Sequence, residues 1–520
     1  MKISKYITLG AIAMLLGINT SCVGDLNVKP DDENKLTDLT TKDQWMGYFG
    51  SIYGNLIYEG NLTPSGVDGG AGIFSRCHWN LQELCADGVS LMSSWNDPGY
   101  PDLKFDIWTS DNTWAFMCFQ REATTARQCM VFYNALSDAS KFFTEEEIAQ
   151  MRAETLVIHS LCYYYMIDLF GKGPWVDANL AVGATPPTYD RVQLFDATVA
   201  QLNEVINSGK LKPAKEQEYG RVSCEAARML LAKLYLNAEV YTGKPMYDKC
   251  AEQCKEIVKT IPTLAETYKY LFCMSNDKYA KNGGEIIWSL PEDELYAQSY
   301  GGTTYLSAGA FFADIDKEEA RKLGNPNSMW NGLKMKPQLV LEFEPGDQRR
   351  LIYEGEFKLD VRDLTNNNKD GDGYMCVKYP VTYEDDYYND NNKEHSIVFN
   401  NADVPLFRLA DTFLMLAECQ VRGVEDADPG FKYFNAVRDR AGLAPKTSVT
   451  LDDILHERTC ELYWEGHRRS DLIRFDKFTG GNYLWAWKGG VYEGTSIDSY
   501  RNLFAIPYQY VSTVGQNPGY

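Results

Sequence analysis

The sequence predicts a mainly α-helical fold, in which a scaffold of tetratricopeptide-like helix pairs carries large, irregular, loop-rich insertions. Two observations predict it. Apolar residues recur at helical spacing in several pairs of neighbouring segments, and the stretches between these pairs are rich in glycine, asparagine and aromatic residues. The chain has 520 residues, 44% of them hydrophobic, which is enough to bury a large core.

The N-terminal residues 1–21 have the pattern of a lipoprotein signal peptide. Lysines precede an apolar stretch that is too short to span a membrane, and the small residue Ser21 precedes Cys22. This order indicates cleavage and attachment of lipid to Cys22, followed by a flexible acidic tether over residues 22–41. Asn19 departs from the apolar residue usual at that position, and ordinary secretion with an incidental cysteine is the alternative.

Charge and cysteine content exclude some functions. The formal net charge is −21, and such an acidic chain is a poor partner for phosphate backbones, so we expect no nucleic-acid binding. The chain has 13 cysteines, which are scattered and form no Cys-x-x-Cys or Cys/His set of metal-ligand spacing. We therefore expect most cysteines other than Cys22 to be small core residues, with no metal site and no cofactor.

The folded domain is predicted over residues 42–520, with the helical scaffold at about 115–260 and 403–475. Its clearest helix pair has one apolar stripe formed by Ala227, Leu230, Leu231, Leu234, Tyr235 and Ala238, and a second formed by Tyr247, Ala251, Cys254 and Val258. Further helices are expected at residues 145–170, 194–206, 406–421, 431–441 and 451–469. Trp114 and Trp464 are assigned to the core, because their surroundings have helical patterns.

Residues 60–114 and 270–400 form the predicted loop-rich face. Both stretches combine turn-forming residues with tryptophan and tyrosine. Long loops within a compact domain are more often functional than idle, so we expect the ligand site there.

Several stretches along the chain resemble the SusD/RagB family. They are "RAETLVIHSLCYYYMIDLFGKGPWV" (152–176), "VPLFRLADTFLMLAECQ" (404–420), "NAVRDRAG" (435–442), "ERTCELYWEGHRRSDLIRF" (457–475) and "QNPGY" (516–520). Two others, "YGGTTYLSAG" (300–309) and "YLWAWKGGVYEGTSIDSY" (483–500), are similar to the starch-binding founding member of the family.

The resemblance implies a SusD-like fold and a function. Family members are lipid-anchored on the surface of the outer membrane, bind nutrients that are usually glycans, and cover a SusC-type TonB-dependent transporter. The implied function is therefore non-enzymatic capture of an oligosaccharide, starch or another glucan, and its delivery to such a transporter.

Candidate ligand residues follow from sugar chemistry and from the resemblance together. A sugar ring has an apolar C–H face and a rim of hydroxyls, so its site needs flat aromatic rings with polar groups at their edges. The stretch "SSWNDPGY" provides Trp95 as a stacking ring, with Asn96 and Asp97 as hydroxyl partners. By position relative to the family, further candidates are Arg76, Tyr300 and Trp330, and the aromatic residues Tyr305 and Trp288 are added to them. The alternative for each aromatic residue is the core.

Two charged motifs have structural interpretations. Asn366, Asn368 and Asp370 in "NNNKDGDGY" match the first positions of a calcium loop, but Val377 stands where the bidentate glutamate belongs. We interpret the motif as a solvated turn and leave calcium open. "EGHRRSDLIRF" (465–475) has charges at i, i+3 and i, i+4 spacing and is interpreted as a structural clamp.

Two other functions stay open. A surface glycoside hydrolase needs two facing carboxylates, whose separation in space a sequence does not give. No metalloprotease, serine-hydrolase or phosphate-loop motif is present, so we expect no catalysis. The second alternative is a peptide-binding import component, because RagB-type relatives serve peptide uptake.

Overall fold

Helices dominate the described part of the chain, which comprises residues 39–60, 62–64, 67–181, 183–312, 315–324, 328–364, 372–384 and 398–520 of a computed structural model. The mainly α-helical prediction is confirmed. The signal peptide, Cys22 and the calcium-like residues 366–371 lie outside the described residues. None of the helices described is both long and apolar enough to cross a membrane.

The α-helices are, in chain order, α1 Lys42–Gly54, α2 Phe74–Trp79, α3 Tyr100–Lys104, α4 Thr113–Ala135, α5 Glu145–Tyr165, α6 Arg191–Asn207, α7 Cys224–Leu236, α8 Ala238–Thr242, α9 Tyr247–Thr260, α10 Gly302–Ala310, α11 Lys317–Lys322, α12 Pro337–Val340, α13 Leu409–Val421, α14 Lys432–Arg440, α15 Leu451–Leu462, α16 Arg468–Arg474 and α17 Tyr508–Val514. Consecutive scaffold helices α4, α5, α6, α7, α9, α13 and α15 pack side by side. This succession is the array of helix pairs that the sequence predicts.

The strands are short and form antiparallel pairs: β1 Val89–Leu91 with β5 Leu333–Met335, β2 Lys172–Pro174 with β3 Thr188–Asp190, β4 Ile286–Leu290 with β8 Val404–Arg408, and β6 Ile352–Tyr353 with β7 Met375–Cys376. Three of these pairs contain strands of the loop-rich regions, whereas β2 and β3 lie between α5 and α6 in the chain.

Local sequence explains where the scaffold helices begin. Thr144 starts α5 and Asp190 starts α6, each with a reciprocal capping box that satisfies free N–H groups of the first turn. Ser223 caps α7, in which the predicted residues Ala227, Leu230, Leu231, Leu234 and Tyr235 are buried; Ala238, also buried, begins α8. The buried face of α9 centres on Cys250, Cys254 and Ile257, which the predicted stripe matches in part.

Two predicted helix bounds are wrong. Residues 404–408 form strand β8, because they pair with β4, and the helix therefore begins at Leu409. The helix predicted over residues 451–469 ends at Leu462, and Trp464 and Gly466 follow with positive φ angles of 62° and 75°. This turn redirects the chain before α16, and the Trp464 carbonyl accepts hydrogen bonds from Trp79 Nε1–H (3.0 Å) and the Tyr379 hydroxyl (2.8 Å).

The charged motif at residues 465–475 is a buried clamp, although its partners are not the predicted local ones. Glu465 pairs with Arg408 (2.7 Å) rather than with Arg469, because Glu465 lies outside α16 and Gly466, with a φ of 75°, stands between it and that helix. Asp471 pairs with Arg458 (2.9 Å) and Arg474 (2.8 Å), and Arg468 pairs with Asp87. Of these contacts, the Asp471–Arg474 pair has helical i, i+3 spacing, whereas the others join distant parts of the chain, so helical spacing does not predict them.

The core contains the residue types that the sequence assigns to it. Trp114 and Trp464 are fully buried. The cysteines described are all free, and all are buried except Cys224, which is partly exposed. Residues Tyr48–Tyr520 form one compact unit, and the other unit, described from residue 39, ends at Gly47.

Distant parts of the sequence meet within the large unit. The Tyr520 hydroxyl accepts a hydrogen bond from Trp108 Nε1–H at 2.6 Å, across 412 residues of sequence. The Glu83 carboxylate accepts the main-chain N–H groups of Gly466 (2.9 Å) and His467 (3.1 Å). The N-terminal loop-rich region is therefore held against the C-terminal third of the chain.

Candidate functional site

The β1–β5 ladder brings two predicted aromatic residues together. Val89 lies opposite Met335 and Leu91 opposite Leu333, and the ladder continues through the Met92 N–H bonded to the Gly332 carbonyl (2.9 Å). Trp95 follows one strand and Trp330 precedes the other, so antiparallel pairing places them at the same end. Their ring centroids are 6.5 Å apart.

Helix α10 adds the third aromatic residue. Tyr300 lies just before this helix, and the Trp330 N–H donates to the carbonyl of Ala308 (2.7 Å) near its end. The rings of Tyr300 and Trp330 are 6.2 Å apart and inclined by 49°, and those of Trp330 and Trp95 are inclined by 45°. Three predicted ligand residues thus form a curved row, which we call the aromatic arc (Trp95, Trp330, Tyr300).

The aromatic arc borders an open cleft of about 670 Å³. The cleft is lined by Asp68, Gly69, Ser94, Trp95, Asp97, Tyr100, Tyr300, Ser328, Trp330 and Val398. Tyr300 is 44% exposed, whereas Trp95 and Trp330 are half-buried. A flat molecule can therefore reach the ring faces, which are held from behind.

Glycines form the support of two of these rings. A Cβ atom on Gly332 would lie 2.0 Å from the Trp95 indole, and one on Gly70 would lie 2.6 Å from Cβ of Tyr300. The indole of Trp95 also lies over Gly309, on helix α10. Any side chain at Gly332 would push Trp95 out of its position, because backbone and ring are in direct contact.

Arg76 lies beneath the cleft and is 1% exposed. Its Nη1 donates to the main-chain carbonyls of Gly69 (3.2 Å) and Tyr300 (3.1 Å), and its Nη2 donates to Asp68 and to the Tyr100 hydroxyl (3.1 Å). Burial alone would lower the pKa of Arg76, but Tyr100, Tyr305 and Asp68 raise it. The guanidinium stays charged and links both walls of the cleft.

Polar groups line the edge of the cleft. The carboxylate of Asp97 accepts the main-chain N–H of Asp68 (3.2 Å), and Asp68 is paired with Arg76. The Ser328 hydroxyl accepts a hydrogen bond from Trp330 Nε1–H (2.6 Å). Asn96 is exposed and lies in the same loop, outside the lining. Carboxylate and hydroxyl oxygens near ring edges are the groups that sugar hydroxyls need.

Three predicted ligand residues are not at the surface of this cleft. Tyr305 is fully buried under Trp95, with ring centroids 6.0 Å apart, and its hydroxyl donates to Asn80 (2.8 Å). Arg76 is buried as well, so direct ligand contact, predicted for both, gives way to a supporting role. Trp288 is on β4, 2% exposed, and lines a separate cleft of about 220 Å³.

Other residues at the site were not identified from the sequence. Phe399 packs against Tyr300 with ring centroids 4.9 Å apart, and Val398 lines the cleft. Gly332 follows Trp330 in "NSMWNG", and a glycine next to a candidate aromatic residue is a signal for close backbone approach. Nothing local in the sequence marks Val398 or Phe399.

Comparisons with known proteins agree with this fold. The family model described as SusD family matches residues 357–520. The starch-binding protein SusD of Bacteroides thetaiotaomicron is 27% identical over 574 aligned positions, covering 100% of this chain and 99% of that protein.

Solved structures show the same architecture. Surface glycan-binding protein A from Bacteroides thetaiotaomicron, in complex with laminarihexaose, is 20% identical and superposes with a TM-score of 0.70, covering 92% of this chain and 100% of that one. A laminarin-binding SusD-like protein is also 20% identical, with a TM-score of 0.70, covering 93% of this chain and 100% of that one. The C-terminal residues 357–520 thus match the SusD family model, the whole chain is similar in sequence to SusD, and its fold is that of SusD-like proteins.

Proposed function

We propose that the chain binds a neutral oligosaccharide in the cleft beside the aromatic arc and passes it to a SusC-type transporter. The single observation that carries this proposal is the arc itself, in which Trp95, Trp330 and Tyr300 border one open cleft. The apolar faces of successive sugar units stack on the rings, and Asp97 and Ser328 bind hydroxyls at the edges.

The geometry favours a curved glycan chain. Neighbouring rings of the arc are inclined to one another by 45° and 49°, so a chain that contacts all three must bend. Starch helices and β-1,3-glucans bend in this way, whereas cellulose is flat. The relative named as starch-binding and the structural neighbour with laminarihexaose support starch or another curved glucan as the class of ligand.

The hydrogen bonds of the cleft carboxylates support capture without hydrolysis. Those that line the cleft in the part described, Asp68 and Asp97, are held by Arg76 and by a main-chain N–H. A glycosidase needs one protonated carboxyl group and one free carboxylate flanking the bond. Asp68 and Asp97 instead act as fixed hydrogen-bond acceptors for hydroxyls.

The cellular setting follows from the family and from Cys22. Lipid on Cys22 and the tether over residues 22–41 anchor the domain to the outer face of the outer membrane. Release to the transporter requires modest affinity, with a Kd of about 1 μM to 1 mM, or about −8 to −4 kcal/mol.

Titration calorimetry of the purified chain tests the proposal. The panel contains maltoheptaose, laminarihexaose, cellohexaose and a mixed oligopeptide of similar length. We expect heat of binding from one of the two curved glucans, little from cellohexaose, and no release of reducing sugar on long incubation. Binding of the peptide alone would favour the peptide-import alternative, and reducing sugar that disappears in Asp97→Asn would favour a hydrolase.

A further inference from the structure

Three side chains with metal-binding chemistry meet in the core, apart from the aromatic arc. His78 is on α2, and Cys118 and Glu122 are on α4, where a spacing of four residues puts them on one face. All three are buried, and their ligating atoms lie within 4.8 Å of one another. The spacing of 40 residues between His78 and Cys118 hides this set from motif reading.

The orientation of the His78 ring is fixed. Its Nδ1 lies 2.7 Å from the main-chain carbonyl of Phe74 and donates its proton there. The ring packs between Phe74 and Tyr165, with centroid distances of 4.1 Å and 3.8 Å. The Nε2 lone pair of the neutral ring therefore faces the other two groups, as in many metal-bound histidines whose second nitrogen bonds a carbonyl.

The lone pair of His78 Nε2 faces a carboxylate oxygen of Glu122, so two hydrogen-bond acceptors lie next to each other. Nε2 is 2.8 Å from Oε1 of Glu122 and 3.5 Å from Sγ of Cys118. Among the residues described, neither oxygen of Glu122 accepts an N–H or O–H hydrogen bond. Arg121, next in sequence, donates to the carbonyls of Glu59 and Gly72 instead. Two lone-pair atoms at 2.8 Å in a dry core need a proton or a cation between them.

We infer that this cluster binds a soft divalent metal ion, with Zn²⁺ the best fit, through His78 Nε2, the Cys118 thiolate and the Glu122 carboxylate. Imidazole, thiolate and carboxylate are the ligands of four-coordinate zinc. With zinc bond lengths, tetrahedral geometry separates a nitrogen and a sulfur ligand by roughly 3.5 Å. The Nε2–Sγ distance of 3.5 Å matches this, and Glu122 must withdraw slightly to open the site.

Charge balance supports the same ion. A divalent cation with one thiolate, one carboxylate and a neutral imidazole leaves a buried site with no net charge. The Cys162 thiol on α5 also contacts Glu122 but lies outside this three-residue set.

The alternative to a metal ion is a proton between His78 Nε2 and Glu122 Oε1, which would give an imidazolium–carboxylate pair. Metal analysis separates the two. The full chain, purified without chelator or histidine tag, is unfolded in guanidinium with chelator and refolded with Zn²⁺, Co²⁺, Ca²⁺ or no metal. We expect about one zinc per chain, no retained calcium, and a melting temperature at least about 2 °C higher with zinc.

Variants localise the ion. Cys118→Ser and Glu122→Gln should lower zinc content at least tenfold, whereas Cys129→Ser, an equally buried thiol on the same helix, should keep it. Refolding with Co²⁺ should produce a thiolate-to-cobalt charge-transfer band that is absent in Cys118→Ser. Wild-type protein that refolds with zinc but retains none, or shows no thiolate band with cobalt, would overturn the inference whether or not the variants fold. Equal zinc in Cys118→Ser and wild type would overturn it as well.

Discussion

Arg76 holds Tyr300 from below, with Nη1 3.1 Å from the Tyr300 main-chain carbonyl, although the two residues are 224 positions apart. The same guanidinium binds Asp68 and the Tyr100 hydroxyl on the opposite wall of the cleft. One buried cation thus sets the distance between the exposed ring of Tyr300 and the loop that carries Trp95.

Arg76→Lys should weaken both binding and folding. Lysine cannot donate to two carbonyls, a carboxylate and a hydroxyl in one plane, so we expect about a tenfold higher Kd (~1.4 kcal/mol) for the best glucan. The free energy of unfolding should fall by about 1–3 kcal/mol in urea titration. Arg152→Lys, which removes an arginine stacked on Tyr133 at the surface, is the control and should change neither quantity.

Gly332→Ala should weaken ligand binding as much as Trp95→Ala does, because it displaces the Trp95 ring. The added Cβ would overlap the indole, so both Gly332→Ala and Trp95→Ala should raise Kd by about 10- to 100-fold (~1.4–2.7 kcal/mol) in calorimetry. Gly50→Ala places a methyl group in open space and should bind as wild type. Wild-type affinity in Gly332→Ala would show that the position of Trp95 does not matter for binding.

Arg408→Met should destabilise the fold without removing any ligand contact. Arg408 binds Glu285 (2.8 Å), Glu461 (2.9 Å) and Glu465 (2.7 Å), and its loss leaves three carboxylates close together in the core. The expected loss is about 3–5 kcal/mol in urea unfolding. Arg228→Met, which removes a partly exposed arginine that contacts Gln253 and Cys224, should cost less than about 1 kcal/mol.

The free energy of unfolding should rise as the pH falls from neutral to about pH 5, because Glu292 binds a proton more tightly in the folded state than in the unfolded state. Burial raises the pKa of Glu292 from 4.5 to about 8, against the hydrogen bonds from Thr303. The folded state therefore keeps a proton that the unfolded state loses above about pH 4.5, so this contribution to stability is lost as the pH rises toward 8.

Unfolding of Glu292→Gln in urea between pH 5 and pH 9 checks this sign. The Thr303 main-chain N–H donates to Glu292 Oε2 at 3.0 Å, and the Thr303 hydroxyl lies 2.7 Å from the same oxygen. The amide oxygen of glutamine accepts in the same way at every pH and carries no titratable proton, so the slope in this window should flatten. The exposed Glu252→Gln should keep the wild-type slope; an unchanged slope in Glu292→Gln would refute the assignment.

Cys22→Ala should release the protein from the cell surface. Without the thiol no lipid is attached, and the expected result is loss from the outer-membrane fraction with unchanged glycan affinity. Surface protease treatment and fractionation of cells measure the first effect, and calorimetry the second. Retention of Cys22→Ala at the membrane would mean that another part of the chain holds it there.

Local patterns in the sequence predict the helices well but predict the ion-pair partners of charged residues poorly. The stripe of α7 is buried as periodicity requires, because burial of one helix face depends on spacing alone. Glu465 and Arg469 have the spacing of a helical ion pair, yet the left-handed turn at Trp464 ends the helix first. Glu465 then finds Arg408, which no spacing rule connects to it.

The same limit applies to the cleft. Turn-forming neighbours of Trp95 indicate an exposed ring, and the structure places it beside Tyr300 and Trp330. Their meeting depends on the β1–β5 ladder, a pairing between strands of only three residues each, too short to carry a sequence signal. Arg76 has the residue type of a ligand contact, and only packing shows that it is buried.

The hydrogen bond between Trp108 and Tyr520 has a consequence for how the protein is made. The loop of Trp95 lies between segments that the C-terminal residues hold in place, and 412 residues separate these two partners. Closing such a long loop costs conformational entropy before the stabilising contacts between its ends form, so this contact forms slowly and late in folding. A ribosome-bound or truncated fragment that lacks Tyr520 would carry the Trp95 loop without this bond to Trp108.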